Sequence, residues 1–418
     1  MAKSTLALPD DPAQLKCLLQ TNLDDETKLQ VHYQLARKYR NENPDLAHYH
    51  LDQVEVIAQK VDNKPLLGKA LSLRGKIYRQ KRDYVNILNA TLKAKSIFKQ
   101  TQDTLRSADE LNNIGVIFMD IGNYYKALDY LIQAAEIYEG QNDIKFYIRT
   151  KTNISICYIE NKQWELARKH INSAIDKQLS FDKKDSQMLV WLYTVAGNLE
   201  YYEGAFDKAV DNYKKAFSLE GISDDAKAGL YFNMANAFQN DQNFAEAEKW
   251  LMEGKELQEA ILMREESILK HYNIEGEFYQ LQGQHDKAIK VLNEAIHYAT
   301  KVCANKDVTN SLQLLSKSQM AILPDSLRIS VEAYQRVEEE CRQQLNLLLE
   351  KEIDDFVKEE KRERKAQKQE AFVDQLGTSV GVLILVLIGI SITLNRKRLV
   401  YKRDHYKLNK IRRVLNDD

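Results

Sequence analysis

Residues 111–138 read LNNIGVIFMDIGNYYKALDYLIQAAEIY. Apolar residues three and four positions apart, beginning at Leu111, predict an amphipathic helix, and the break at Gly122 ends it. A second apolar stripe with the same spacing follows directly. Gly115 in the first stripe and Ala127 in the second are small, which indicates that two helices cross closely at these positions. The segment therefore predicts a helical hairpin.

The same pattern recurs through most of the chain. YTVAGNLEYYEGAFDKAVDNYKKAFSL at 193–219 and YNIEGEFYQLQGQHDKAIKVLNEAIHY at 272–298 repeat the small residue, the turn and the second stripe. The small residue of the first helix recurs every 38 to 42 positions, at Ala36, Gly75, Gly115, Ser155, Gly197, Ala235 and Gly276. One hairpin cannot bury both of its faces, whereas a stack of hairpins can. The sequence thus predicts an all-α solenoid of seven hairpins.

These residues resemble the tetratricopeptide repeat family over about residues 28–302. The family pattern is matched best by Gly115, Tyr124, Ala127 and Ala134, by Gly197, Phe206, Ala209 and Ala216, and by Gly276, Ala288 and Ala295. The usual period of the family is 34 residues, whereas the period here is about 40, so longer helices are expected. This longer variant is similar to the repeats of bacterial sensory and peptide-binding regulators. The resemblance implies a right-handed solenoid that binds a protein or a peptide.

The predicted domain organisation places the repeats between two kinds of flanking segment. The seven hairpins are expected at about 28–60, 68–101, 108–141, 148–181, 190–223, 228–261 and 269–302. The flanking segments are an N-terminal segment at 1–27, a capping helix at 303–325, a helical stalk with a coiled-coil seam at 326–375, a transmembrane helix at 376–394 and a basic tail at 395–418.

An uncharged run near the C-terminus predicts the membrane span. Residues 376–394 read LGTSVGVLILVLIGISITL, and a helix of this length spans about 28 Å, close to the hydrocarbon core of a bilayer. Gly377, Gly381 and Gly389 lie four or eight positions apart, so they share one helix face that lets two spans approach closely. We therefore expect a lipid bilayer as one partner and a homodimer through the span and the stalk.

The charges that flank this run predict an orientation in the membrane. Residues 395–414 contain nine Lys and Arg, whereas residues 357–376 contain six. Because cations near a span are retained in the cytoplasm, we expect a cytoplasmic C-terminus and repeats on the outer side of a bacterial inner membrane. The N-terminus, MAKSTLALPDDPAQ, is not a signal peptide as it stands.

This order of parts resembles bacterial membrane sensors that carry exported tetratricopeptide repeats, a stalk, one span and a cytoplasmic output module. In that family the output is often a histidine kinase or a DNA-binding domain. The 24 residues that follow Leu394 are too few for such a module. The resemblance therefore implies the sensor part without its output domain.

Asparagines on the first helices of the hairpins form the candidate ligand site. They are Asn112, Asn113, Asn153, Asn198, Asn233, Asn236 and Asn273, with Tyr201 as a candidate aromatic contact. Asn is a poor helix former, since its side chain competes for backbone hydrogen bonds. Its amide carries a donor and an acceptor, so it suits the main chain of an extended peptide. The open alternative is that these amides bond neighbouring helices or water.

The sequence contains no catalytic signature. With 15 Gly and 5 Pro in 418 residues, it lacks Gly-x-Gly-x-x-Gly, phosphate-loop and His-Glu-x-x-His motifs. Glu294 and His297 form a lone Glu-x-x-His pair, whereas a di-iron site needs a second pair and two further Glu. We therefore expect no enzymatic activity, no cofactor and no metal. The net charge of −1 gives no general attraction to nucleic acid, so no nucleic-acid partner is expected.

Three functions remain open. The favoured one is a membrane-anchored scaffold or sensory module that binds a protein or a peptide. The second is a signalling sensor whose kinase or DNA-binding output lies in a partner or is missing. The third is a cytosolic, tail-anchored chaperone adaptor.

Two expectations concern packing. Gly197 and Gly276 are predicted close-contact sites at which Leu would overpack the hairpin. Lys255 is predicted to be exposed, so that its replacement by Leu would have little effect.

Overall fold

A computed structural model confirms the all-α class. It describes residues 8–80, 82–181, 184–261, 263, 265–302, 306–322, 339, 342–362, 365, 369 and 397, and no strand occurs among them. The chain divides into two compact units, Met1–Glu350 and Lys351–Asp418. In the second unit, residues 351–362 are helical.

Seven helical hairpins, flanked by one helix on each side, make up most of the first unit. The flanking helices are α1 (Pro12–Leu19) and α16 (Lys306–Ile322). The hairpins are α2 (Asp25–Tyr39) with α3 (Pro44–Lys60), α4 (Lys64–Gln80) with α5 (Tyr84–Gln100), α6 (Thr104–Asp120) with α7 (Tyr124–Gly140), α8 (Ile144–Glu160) with α9 (Trp164–Leu179), α10 (Ser186–Glu203) with α11 (Phe206–Phe217), α12 (Asp224–Asn240) with α13 (Phe244–Ala260), and α14 (Glu265–Leu281) with α15 (His285–Val302). The two helices of each hairpin pack together, and the second helix packs on the first helix of the next hairpin.

The 40-residue period arises from equal helices and equal turns. Helices α4 to α8 each have 17 residues, and three-residue turns separate them. The middle residue of each turn has a left-handed backbone, as at Gln102 (φ 57°) and Gly122 (φ 77°). The last residue caps the next helix, as Asp103 does for the backbone N–H of Arg106 at 3.1 Å. Each helix and turn therefore takes 20 residues, and each hairpin takes 40.

The close contacts predicted at the small residues are confirmed. A Cβ added to Gly276 would lie 2.5 Å from Cδ2 of Leu292, and one added to Gly115 would lie 2.6 Å from Cγ of Leu131. At Gly197 the added atom would lie 2.3 Å from Cε1 of Tyr213. Each distance is far below van der Waals contact, so these glycines set how closely the helices of a hairpin approach.

The expectation of an inert Lys255 is wrong. Its ammonium lies 2.6 Å from Oε1 of Glu275, whose side chain is only 4% exposed. The sequence pattern placed Lys255 on the outer face of α13, but this face meets α14 of the next hairpin. Lys255 therefore neutralises a carboxylate that is otherwise buried.

The segment after the array is described only in part. Residues 342–350 are helical and lie against the turn between α6 and α7. A Cβ added to Gly122 would lie 3.1 Å from Nη1 of Arg342, and Asn123 Nδ2 donates to Glu350 Oε1 at 3.5 Å. No helix among the described residues is both long and apolar enough to cross a membrane. The run 376–394, with Gly377, Gly381 and Gly389, lies outside the described residues.

Candidate functional site

The first helices of successive hairpins lie side by side and expose one shared surface. Hydrogen bonds between residues about one repeat apart show this arrangement. Gln80 of α4 donates to the carbonyl oxygen of Arg40, at the end of α2, at 3.1 Å. Thr150 of α8 donates to Asn112 Oδ1 of α6 at 3.2 Å. We call the surface formed by α2, α4, α6, α8, α10, α12, α14 and α16 the first-helix face.

A connected group of polar side chains crosses this face at α10, α12 and α14. Asn240 Nδ2 donates to the Tyr201 hydroxyl at 3.1 Å and to Asn236 Oδ1 at 3.2 Å. Gln239 Nε2 donates to the same Asn236 oxygen at 2.9 Å and to Glu277 Oε2 at 3.3 Å. We call these five residues the amide network. It joins the fifth, sixth and seventh hairpins through side chains alone.

The amide network contains one unused acceptor. Gln239 is only 1% exposed, and its Oε1 has no hydrogen-bond partner among the described residues. A buried polar atom without a partner costs about 1–3 kcal/mol. Both donor hydrogens of this amide are directed to Asn236 and Glu277, and its oxygen is shielded from solvent, so Gln239 acts on the face through the side chains that it holds.

Burial shifts the pKa values of two groups in the amide network, Glu277 and Tyr201. It raises the pKa of the Glu277 carboxyl, and Lys317 and the Gln239 amide oppose this effect. Burial also raises the pKa of the Tyr201 hydroxyl, and the neighbouring Glu277 raises it further. Tyr201 is therefore a neutral hydroxyl at physiological pH, and the network presents amide and hydroxyl groups around a single carboxyl group.

Exposed apolar side chains occur at the ends of the first helices. Tyr202 follows Tyr201 at the end of α10, with the two ring centroids 5.3 Å apart, and Leu281 lies at the end of α14. The side chains of Tyr202 and Leu281 are 54% and 47% exposed, and Met320 near the end of α16 is 44% exposed. These first helices therefore offer apolar contacts as well as hydrogen-bonding groups, a combination typical of ligand sites.

The predicted asparagines fall into groups with different partners. Asn236 and Tyr201 belong to the amide network. Asn112 Oδ1 accepts from Asn153 Nδ2 of the next first helix at 3.4 Å. Asn113 donates to Glu110 Oε2 of its own helix at 3.1 Å. These bonds keep Asn112 and Asn153 on the first-helix face but use part of their hydrogen-bonding capacity.

The other three predicted asparagines are more enclosed. Asn198 Oδ1 accepts from the Tyr213 hydroxyl at 2.8 Å. Asn273 is 3% exposed, and its Oδ1 accepts from Ser311 at 2.5 Å. Asn233 is half-buried in α12. The structure thus brings Asn236 and Tyr201 together and leaves Asn198 and Asn273 as bridges between helices.

Sequence reasoning missed three members of the amide network. Gln239 and Asn240 lie four and five positions after the small residue Ala235, in the register of Tyr201 and Tyr202 after Gly197. This register, more than the residue type, marks the last turn of a first helix. The third is Glu277, which a search for amides does not find.

The described histidines and acidic residues form no metal centre. No group of three or more His, Cys, Asp or Glu side chains in the described part of the chain is placed to hold a metal ion. His32 and His50 face each other with their Nδ1 atoms 2.9 Å apart. Burial lowers the pKa of both rings, and that of His50 falls to about 4.

The fold and this surface define a class of protein, the helical-hairpin repeat scaffolds. Within that class, the tetratricopeptide repeat models match residues 108–139 and 228–261, which are the third and sixth hairpins. The repeats of this chain are therefore tetratricopeptide repeats, as predicted. No curated protein sequence matches the chain.

Solved structures share the fold. The apo form of the quorum sensor NprR from B. thuringiensis matches with a TM-score of 0.58 and 19% identity, covering 78% of this chain and 91% of that chain. NprR in complex with its cognate peptide NprX matches with a TM-score of 0.53 and 18% identity, over 79% and 92%. A tetratricopeptide repeat protein from Parabacteroides merdae matches with a TM-score of 0.52 and 15% identity, over 70% and 99%. At these identities the similarity establishes the fold.

Proposed function

We propose that this chain is a membrane-anchored, peptide-binding scaffold whose ligand lies along the first-helix face. The half-buried side chains of Tyr201, Asn236 and Asn240, which the amide network holds together on this face, are the observation that carries this proposal. NprR, which shares the fold, has a cognate peptide. The role is binding, since the described side chains of this face offer amides and hydroxyls that suit the main chain of a peptide.

An extended peptide is the ligand that this chemistry suits. It presents a main-chain N–H or C=O group at intervals of about 3.3 Å, so its hydrogen bonds do not depend on its sequence. Main-chain groups of the peptide bond to the half-buried Asn236 and Asn240 amides, and the buried Gln239 holds Asn236 in position. The exposed Tyr202 and Leu281 then contact apolar side chains of the ligand.

Selection of binders from a random peptide library on the full-length chain tests this proposal. Binding of a selected peptide is then compared between the wild type and Gln239→Met, which has a side chain of similar length without the amide. We expect Gln239→Met to weaken binding about tenfold, because hydrogen bonds worth about 1 kcal/mol or more are lost. The control Asn172→Ala lies on the exposed side of the second helix α9 and should bind like the wild type. Unchanged binding by Gln239→Met would refute the site.

The membrane anchor is a separate part of the proposal. It is supported by the 19 uncharged residues at 376–394 and by the basic segment that follows. The proposed orientation puts the repeats outside a bacterial inner membrane, with dimerisation through Gly377, Gly381 and Gly389. An impermeant thiol reagent should label a cysteine introduced at the exposed Lys93 in intact cells. Labelling only after lysis would contradict this orientation.

The dimer has its own matched pair of variants. Gly381→Ile should weaken association in a membrane two-hybrid assay, since its side chain separates the two spans. Val382→Ile, the next residue along the same helix, should not. Equal association of both variants and the wild type would remove the glycine face as the interface.

A further inference from the structure

The second hairpin is unusually basic. Residues 64–100 contain ten Lys and Arg and one acidic residue, Asp83, a net charge of +9 in a chain whose total is −1. Only some of these cations pair inside the protein, and Arg74 does so with Asp52 and Glu55 of α3 at 2.8 and 2.7 Å. So strong a local charge is not needed to fold a hairpin, because neighbouring hairpins form without it.

Part of this charge lies on the first-helix face. Lys76 and Arg79 of α4 have the register of Arg37 and Arg40 of α2, 39 residues earlier. The bond from Gln80 to the Arg40 carbonyl shows that these helix ends lie side by side. We call these four residues the cationic patch. None of them forms an ion pair with a carboxylate among the described residues, and Arg37, Arg40 and Lys76 are exposed.

Two acidic groups on the neighbouring helix α6 are already engaged. The positive charge of Lys76 acts to lower the pKa of Asp109 and Glu110 of α6. Asp109 accepts from the Tyr138 hydroxyl at 2.6 Å, and Glu110 accepts from Asn113 at 3.1 Å. Burial raises the pKa of both carboxyls, so they neutralise the patch only in part.

The same register is uncharged from α6 to α12 and carries one acidic residue on α14. It holds Val116 and Met119 on α6, Ile156 and Ile159 on α8, Asn198 and Tyr201 on α10, Asn236 and Gln239 on α12, and Glu277 and Gln280 on α14. The first-helix face is therefore cationic at one end and lined with amides at the other. Three helix spacings separate α4 from α10, on the order of 30 Å or about nine extended residues.

We propose that the first-helix face takes an extended acidic peptide, with a run of carboxylates on the cationic patch and its main chain on the amide network. This inference rests on the proposed function and adds the ligand class. Guanidinium groups bind carboxylates through paired hydrogen bonds, and charge complementarity at an exposed face selects partners and speeds association. A nucleic acid or a membrane surface is disfavoured, because the patch is one row of side chains that continues into uncharged amides.

Labelled peptides of about fifteen residues, long enough to span both regions, test the proposal on the full-length chain. Two of these peptides consist of a neutral sequence of Ser, Asn and Leu with four glutamates, which lie at the N-terminal end in one peptide and at the C-terminal end in the other. In the two matched control peptides, glutamines replace the glutamates. We expect one glutamate peptide to bind at least about tenfold more tightly than its counterpart at low ionic strength, with the ratio falling as salt rises. Equal binding of glutamate and glutamine peptides would overturn the proposal.

Paired charge reversals locate the effect. The double variant Lys76→Glu with Arg79→Glu should abolish the preference for glutamate. The control Lys93→Glu with Lys99→Glu makes the same change in net charge on exposed positions of the second helix α5 and should preserve it. An equal loss in both would assign the preference to the charge of the whole hairpin and overturn the site.

The remaining outcomes separate the two proposals. If glutamate has no effect but Gln239→Met still weakens the glutamine peptides, the peptide-binding proposal stands and the acidic ligand is refuted. If a short oligouridylate binds more tightly than every peptide and responds to the reversal at Lys76 and Arg79, a nucleic acid and not a peptide occupies the patch. The melting temperature of each variant is measured beside binding, and an unchanged value shows that the fold is intact.

Discussion

Replacement of Gly197 by Ala measures how closely two helices of one hairpin are packed. The added Cβ would lie 2.3, 2.5 and 2.9 Å from three ring atoms of Tyr213. That ring is only 2% exposed, and its hydroxyl donates to Asn198 at 2.8 Å, so it cannot move away without breaking a hydrogen bond. Overpacking of this kind costs about 1–3 kcal/mol.

The intrinsic preference of a helix for Ala acts in the opposite direction and must be separated from the packing cost. Ala is favoured over Gly by about 1 kcal/mol in a helix interior, so the net loss at Gly197 should be about 0–2 kcal/mol. Gly229 provides the matched control, because it lies inside α12 with nothing within 4 Å of an added Cβ. Gly229→Ala should stabilise the protein by about 0.5–1 kcal/mol.

Urea unfolding of both variants gives the difference between them, which should be about 1–3 kcal/mol and is due to packing alone. Equal shifts of the unfolding midpoint at both positions would refute the close contact between α10 and α11. A larger loss with Gly197→Leu than with Gly197→Ala is expected for the same reason, because more atoms enter the occupied space.

Three further changes test other parts of the fold. Gln242 has a left-handed backbone (φ 62°), so Gln242→Gly should raise the free energy of unfolding by about 0.5–1 kcal/mol, and a lower melting temperature would contradict this. Lys255→Leu should destabilise by roughly 1–3 kcal/mol because Glu275 loses its partner, whereas the exposed Lys249→Leu should change little, and equal melting temperatures would argue against the pair. Burial lowers the pKa of His271 to about 3, so the unfolded chain binds a proton that the folded chain does not as the pH falls below about 6.5. Stability should therefore decrease by on the order of 1–2 kcal/mol from pH 6.5 to 5, and an equal decrease in His271→Gln would exclude this ring as the cause.

The hairpins could be predicted from the sequence because the same physical constraint acts at every repeat. A small residue such as Gly276 is required wherever two helices cross closely, so its spacing reveals the array. The turns were harder to predict, since six of the ten described residues with a left-handed backbone are not Gly, as at Gln102. The turn position, fixed by equal helix lengths, holds these residues in a conformation that their side chains disfavour.

The ligand site could be predicted only in part. The asparagine pattern identified Asn236, but the same residue type also bridges helices at Asn273, where Ser311 takes its oxygen. A sequence shows which amides lie on a helix but not how many of their donors and acceptors are already used. Whether the oxygen of Gln239 has a hydrogen-bond partner depends on how α12 and α14 lie relative to each other, and no short sequence pattern reports this arrangement.

The residues that pack the hairpins together and the residues that could contact a ligand lie at different positions of the same helices. This separation explains how the side chains of the first-helix face can change from one hairpin to the next while the fold is kept. Gly115 and Gly197 sit at one packing position, where size is restricted by the second helix. Four positions later the side chain is half-buried in three of the first helices, and the residue there changes from Arg79 to Met119 to Tyr201. Each hairpin therefore contributes one independently variable contact to the first-helix face. Ile159 and Gln239 depart from this rule, because both are buried, and Gln239 also shares a hydrogen bond with the next hairpin. A ligand that contacts Asn236 and Asn240 would therefore touch a group of side chains that joins two hairpins, and would stabilise their junction as well as its own contact.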